Sequence, residues 1–189
     1  MIFHISPDEA KPAIRMDMKK SDALLAYLQT KGITAKTFEH PPVHTVEESQ
    51  KLRGDISGIH TKNLFLRDGK KNFYLFITGE NVSVNLKSLA RKIGAKGGLS
   101  FGSAESLMDL LGVAPGSVSV LAAVNDEEKR VTIVIDMQLL AASAINCHPL
   151  TNCRTTSLSK TDLIDFLNSI GRTPIYVSLF EDGQDREAN

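Results

Sequence analysis

Cys147-His148-Pro149-Leu150-Thr151-Asn152 sets an imidazole and a carboxamide around a proline, directly after the apolar stretch 137–145. Proline fixes its own φ and pushes the residue before it toward an extended backbone, so the chain aims the His148 ring. Asn152 can both donate and accept nearby. These residue types suit the rim of a pocket, although an ordinary turn around a satisfied histidine uses the same ones. Gly112-Val113-Ala114-Pro115-Gly116 offers a second chemistry. Glycine admits close backbone approach and proline stiffens the loop, so flanking amides can face a carbonyl oxygen or a carboxylate. The same pattern also simply ends helices. The third candidate lies in Thr61-Lys62-Asn63-Leu64-Phe65-Leu66-Arg67. Strand alternation groups Lys62 with Leu64 and Leu66, and Asn63 with Phe65 and Arg67. An ammonium that shares a face with leucines is either a strand-end lysine snorkelling to water or a cation aimed into a site.

The rest of the chain must position these groups. A helix is expected from Met18 to Thr30, with Gly32 past its end, followed by a strand over 33–39. Residues 1–16, with Pro7 and Pro12, read as a loose lead-in. His40-Pro41-Pro42 interrupts regular structure, and Thr45 with Glu48 looks like the capping box of a short helix through Leu52 that crosses near the site. Residues 61–67 and 70–78 around Asp68-Gly69 predict a β-hairpin. Lys87, Arg91, Lys92 and Lys96 form a basic helical segment, which fits either a solvated face or a local contact with a polyanion. A helix over 104–111 ends at Gly112. Strands over 117–124 and 130–136 predict a second hairpin at the centre of the sheet. A helix from Lys160 to Ile170, capped by Ser159, and a strand over 175–179 complete the domain, and the acidic tail 181–189 is expected to fray.

At 189 residues, 42% hydrophobic and 23% charged, the chain fits one mixed α/β (α+β) domain with its own core. No apolar run approaches the length that crosses a bilayer, and the N-terminus lacks a secretory pattern, so a cytoplasmic location is expected. Lysine plus arginine and aspartate plus glutamate are 22 each, leaving no global pull toward nucleic acid. Cys147 and Cys153 flank His148 without a second Cys or His pair, which argues against zinc, and two free thiols are expected there. No metal or organic cofactor is called for, and neither cysteine is assigned to catalysis.

Taken in order, the Thr61–Leu66 segment, Gly112–Gly116 and His148–Asn152 resemble the YbaK/ProX family of aminoacyl-tRNA deacylases. The likeness is strongest to free-standing prolyl-tRNA editing proteins, relatives of the editing domain inserted in bacterial prolyl-tRNA synthetase, and spans about residues 17–180. The resemblance implies a single editing domain with a mostly antiparallel curved sheet and surrounding helices. It implies hydrolysis of the ester of mischarged tRNA(Pro), with alanyl-tRNA(Pro) as the favoured substrate. The implied partners are the acceptor end of that tRNA and, transiently, prolyl-tRNA synthetase or an elongation factor. Lys62, Asn63, Gly112 and His148 would then be the catalytic group. Lys62 would hold the acceptor end or stabilise charge near the ester, and Asn63 would support the local geometry. Val113, Ala114, Pro115, Gly116 and Asn152 would bind the aminoacyl group, and Lys87, Arg91, Lys92 and Lys96 the tRNA. The terminal 2′-hydroxyl would help to activate water, consistent with a chain that shows no Ser-His-Asp or Cys-His relay. Three other readings remain open: a deacylase of the same fold for cysteinyl or seryl esters, a non-catalytic tRNA- or synthetase-associated module, and a small-molecule binder.

Overall fold

The computed structural model describes residues 7–42 and 56–179, with side chains from residue 18 onward. Among these residues eight strands form one mixed sheet: β1 (Ala35–Glu39), β2 (Ile59–Asp68), β3 (Phe73–Gly79), β4 (Leu99–Phe101), β5 (Val131–Asp136), β6 (Ile145–Cys147), β7 (Arg154–Leu158) and β8 (Ile175–Val177). Their order is β1-β7-β6-β2-β3-β5-β8, with β4 paired to the far end of β2. The β1/β7, β6/β7, β2/β3 and β2/β4 pairings are antiparallel, whereas β2/β6, β3/β5 and β5/β8 are parallel. A mostly antiparallel mixed sheet with helices around it is thus what the chain forms.

Helix α1 (Pro7–Thr30) begins well before the Met18 start that periodicity predicts. Proline at the first helical position loses no hydrogen bond, because that N–H has no partner inside the helix. Gly32, at φ 71°, closes the other end, and the Ile33 amide reaches back to the Leu28 carbonyl at 3.0 Å. Leu24 and Leu28 bury one stripe of α1 in the larger core, with Phe65 and Ile77 of the sheet. Helices α3 (Ala104–Leu111) and α4 (Lys160–Ser169) pack into the same core through Leu107, Leu111, Leu163 and Phe166. A smaller core on the opposite face holds Leu66, Phe76, Val134 and Val177 against Leu89 of α2 (Leu86–Ile93).

The second hairpin predicted from the sequence does not form. Residues Val120–Asn125 are a buried 3-10 helix capped by Ser119, whose hydroxyl accepts from the Leu121 amide at 3.2 Å. A short apolar run without a polar alternation fits a buried helical turn as well as a strand, and here packing decided for the turn. Strand β5 lies instead parallel to β3 and β8. The helix expected from Thr45 and the tail from Glu181 lie outside the described residues.

The first hairpin forms, but its turn is wider than Asp68-Gly69. Arg67 pairs with Phe73, and Gly69–Asn72 make the connection with Lys71 at φ 63°. The buried Asp68 carboxylate organises it. It accepts from the amides of Lys70 and Asn72 and the side chain of Asn72, each at 2.9 Å, and from the Lys96 amide at 3.0 Å. Burial disfavours the charge, but these donors outweigh it and hold the carboxyl well below the usual carboxylate range. A depressed folded pKa supplies stability above the unfolded value of about 3.9 and loses it as pH falls further. The wild-type melting temperature is therefore expected to drop progressively below about pH 4, while Asp68→Asn should melt several degrees lower at neutral pH and respond less to acid. Thermal melts of both proteins across pH check this.

Candidate functional site

The N-terminal half of β2 presents Lys62 to the smaller-core face, in line with Leu64 and Leu66, while Thr61, Asn63 and Phe65 face α1. Lys62 is half-buried, and its Nζ donates to the Val82 carbonyl in the connection from β3 to α2. Its head is thus held by a carbonyl instead of snorkelling to water. Among the described residues no carboxylate pairs with it, so the half-buried amine has two N–H groups beyond the one on Val82 and no ion-pair partner there. Asn63 points the other way. Its Nδ2 donates to Thr61 Oγ1 at 3.3 Å, and its Oδ1 is buried without a partner among the described residues.

Strand β6 runs parallel to β2 with Ile59 opposite Ile145 and His60 opposite Asn146. The Thr61 hydroxyl extends the contact, donating to the Asn146 carbonyl at 2.9 Å beside Cys147 Sγ at 3.8 Å. The period of two that this register sets puts His148, just past the end of β6, on the same side of the sheet as Lys62. Both then lie on the side away from α1, with Asn146, Thr155 and Ser157. His148–Cys153 is the loop of the β6/β7 hairpin. It turns tightly around Pro149, the Leu150 amide donating to the His148 carbonyl at 3.0 Å, and Leu150 sits at φ 63°. That conformation is strained for a branched side chain. Leu150 and Thr151 are buried and hold it in place. The Asn152 carboxamide oxygen faces the Cys153 thiol at 3.7 Å.

His148 Nδ1 lies 3.0 Å from the Arg154 carbonyl, which can only accept, so Nδ1 carries a proton there. The motifs in the sequence do not mark His40 as a site residue. It stands with its ring edge-on to His148 at 6.5 Å, its Nε2 on the Thr155 hydroxyl at 2.9 Å and its Nδ1 on the Pro41 carbonyl at 2.8 Å. Asn146 is engaged at both ends of its carboxamide, donating to the Ser57 carbonyl at 3.0 Å and accepting from the Ser157 hydroxyl.

The glycine-proline loop is anchored elsewhere. Gly112 caps α3 in the left-handed region at φ 64°, its amide donating to the Met108 carbonyl at 3.0 Å and its carbonyl accepting from Lys20 Nζ of α1 at 3.2 Å. The Gly112 amide is thus engaged in the helix cap. Val113 is buried in the α1-side core, and the Ser117 amide closes a turn onto the Ala114 carbonyl at 3.0 Å. Ala114, Pro115 and Gly116 are exposed, and the Ala114 and Gly116 amides donate to no described residue. No hydrogen bond joins this loop to Lys62 among the described residues.

Helix α2 begins four residues after Val82, capped by Asn85, whose side chain accepts from the Ser88 amide at 3.0 Å. It buries Leu89 and Ala90 and turns Lys87, Arg91 and Lys92 outward, with Lys96 exposed just beyond. Between residues 69 and 104 the sequence carries Lys70, Lys71, Lys87, Arg91, Lys92 and Lys96 against Glu80 alone, so the neutral chain has a basic segment running over α2 and the β2/β3 turn. Among the described residues no cluster of three His, Cys, Asp or Glu is placed to hold a metal. No described helix is long and apolar enough to cross a membrane.

Known proteins resemble this chain in sequence and in fold. The aminoacyl-tRNA editing domain family matches residues 40–166. The chain is 37% identical over 161 residues to the prolyl-tRNA editing protein ProX of Acetoanaerobium sticklandii, covering 84% of this chain and 96% of that protein. It is 35% identical over 165 residues to prolyl-tRNA synthetase associated domain-containing protein 1 of Danio rerio, covering 86% and 88%. Its fold matches the crystal structure of a candidate trans-editing enzyme for prolyl tRNA synthetase with a TM-score of 0.65 and 20% identity, over 94% of this chain and 99% of that one.

The two thiols differ in kind. Burial pushes the Cys147 thiol up to about 12, against a small opposing effect of the Thr61 hydroxyl, so no thiolate forms there at neutral pH. Cys153 is half-buried, and both are free. Iodoacetamide at pH 8 is expected to label Cys153 and spare Cys147 in the folded protein, read by peptide mass; labelling of Cys147 at an equal rate would mean that the β6 core opens readily.

Proposed function

The chain belongs to the aminoacyl-tRNA editing domain family and is an aminoacyl-tRNA deacylase, and from that premise we propose that it acts in trans on mischarged tRNA(Pro), hydrolysing alanyl-tRNA(Pro). The observation that carries the reading is the Lys62 ammonium, half-buried without a carboxylate partner among the described residues, on the strand next to His148 and at the foot of a basic helix. An aminoacyl ester is already activated. It needs a placed water and stabilisation of the oxyanion that develops, more than a strong nucleophile. Lys62 supplies positive charge for the ester or for the adjoining phosphate. The Ala114 and Gly116 amides are the loop donors left for the aminoacyl group, and Asn63, whose Nδ2 donates to Thr61 Oγ1, supports the local geometry of the strand. His148, with Asn152, shapes the side-chain pocket and helps to order water. The terminal 2′-hydroxyl of the tRNA completes the activation of that water.

Selectivity must come from exclusion. Preference for a smaller apolar group yields only about 1–3 kcal/mol per methylene, too little to protect correctly charged prolyl-tRNA. The His148–Cys153 loop supports exclusion because Pro149 and the left-handed Leu150 leave it little freedom. The exposed Lys87, Arg91, Lys92 and Lys96 face the acceptor-stem phosphates, with an affinity that falls as salt rises.

Lys62→Ala is expected to lower kcat/KM for alanyl-tRNA(Pro) by roughly 10²–10³ while its circular dichroism stays native, and an unchanged rate would remove Lys62 from the site. His148→Ala should shift the preference among alanyl-, cysteinyl-, seryl- and prolyl-tRNA(Pro) more than it slows alanyl cleavage. That panel, run beside alanyl-tRNA(Ala), decides the substrate: faster release of cysteine or serine would reassign it. Replacing Lys87, Arg91 and Lys92 by alanine should flatten the salt dependence of tRNA binding by about 0.9 in log–log slope for each phosphate that the variant no longer neutralises.

A further inference from the structure

Arg154 directs its side chain away from the candidate site, yet its backbone carbonyl seats the His148 ring. The guanidinium is 11% exposed and is held from two directions. Nη1 meets Asp22 Oδ1 at 2.5 Å and Ser21 Oγ at 3.2 Å on α1, while Nη2 and Nε meet Glu39 Oε1 at 2.8 and 3.1 Å on β1. Burial works against the charge, but the hydrogen bonds and charges of Asp22 and Glu39 outweigh it and raise the Arg154 pKa above its ordinary value. Arg154 is the first residue of β7 and pairs with Glu39, the last of β1. A ladder end of this kind frays unless something ties it. The next residues on each strand carry the imidazole contacts. The His40 amide donates to the Cys153 carbonyl at 3.0 Å, and the His40 ring meets the Thr155 hydroxyl at 2.9 Å.

We infer that Arg154 is a positioning residue: by tying α1 and β1 to the base of the His148–Cys153 loop, it fixes the plane of the His148 ring and its Nδ1–H tautomer, and through that ring the size limit of the amino-acid pocket. The statement about the ring stands on this geometry, and the statement about size rests on the deacylase reading above. The guanidinium fork satisfies three side chains from two elements at once, which a lysine cannot reproduce. The carbonyl it immobilises is the acceptor that tells the two nitrogens of His148 apart.

The test neutralises the partners and leaves Arg154 in place. Asp22 and Glu39 are 64% and 71% exposed at their side chains, so D22N/E39Q changes no packed core. In ¹⁵N-histidine NMR at neutral pH the wild type should show His148 as a single Nδ1–H tautomer, and the double variant should show shifts averaged between tautomers. In the same variant the ratio of kcat/KM for alanyl- over prolyl-tRNA(Pro) should fall about tenfold to a hundredfold, with kcat affected more than KM. A folded double variant with unchanged His148 shifts overturns the proposal. Global unfolding of that variant overturns it too, since the cluster would then support the whole chain and not the ring. If the wild type cleaves none of the esters but His148 responds as described, the positioning role is supported and the reading of the pocket is removed.

Discussion

Two residue pairs join the halves of the sheet, and the placement of the candidate site depends on them. Ile59 opposite Ile145 and His60 opposite Asn146 connect β2 and its partners β3, β5 and β8 to the β6, β7 and β1 group. So short a parallel ladder needs help, and it comes from the side chains and turns around it. The Ile59 amide donates to the Ala144 carbonyl at 2.9 Å, and Asn146 bridges the Ser57 carbonyl to the Ser157 hydroxyl. Gly58, at φ 105°, lets the two backbones meet: a Cβ there would fall 2.6 Å from the Ala144 carbonyl oxygen. Because side chains alternate with period two, a slip of one residue would turn Lys62 toward α1 and Asn63 toward His148.

Two cations near this joint are handled in opposite ways. Arg154 is nearly buried and fully matched, its fork shared by two carboxylates that reach in from solvent. Such an arrangement fixes geometry and leaves no charge for a ligand. Lys62 is half-buried and, among the described residues, unmatched by any carboxylate, steadied by the dipole of one carbonyl. The cost of desolvating an ammonium without a counter-ion is tolerated where an incoming anion or a developing negative charge supplies the missing partner. The overall neutrality of the chain conceals this division, since the basic stretch from Lys70 to Lys96 is balanced by acids elsewhere in the sequence.

What the sequence disclosed and what it hid follow the range of the interactions involved. The β2/β3 hairpin was legible because alternation and Asp68-Gly69 are local signals, and the facing of Lys62 and Asn63 followed from it. Helix ends at Gly32, Gly112 and Ser159 were legible for the same reason. The width of the first turn was not, because it depends on Asp68 capturing the Lys96 amide from a distant loop. Strands β6 and β7 went unread: three residues give no period, and Arg154-Thr155-Thr156-Ser157-Leu158 looks like a polar connection until its threonines are seen buried in the sheet. Without those strands the clamp on Arg154, reaching back to Asp22, and the edge-on approach of His40 to His148 had no sequence signature. That Gly112 closes a helix was also visible in the motif, and its amide does so.

The rigidity of the His148–Cys153 loop then acquires a physical meaning. Under the proposed reading, a site that accepts a methyl side chain and turns away a five-membered ring must oppose the larger group with walls that cost more energy to move than the ester gains on binding. Leu150 in the left-handed region costs about 1–3 kcal/mol, and the loop keeps that strain although relaxing it would need only a local rearrangement. It does so because Leu150 and Thr151 are buried, Pro149 cannot rotate, and both ends are tied, at His148 to the Arg154 carbonyl and at Cys153 to the His40 amide. Steric overlap rises far more steeply with size than attraction does, so a wall of this kind discriminates between similar side chains without having to bind either of them tightly.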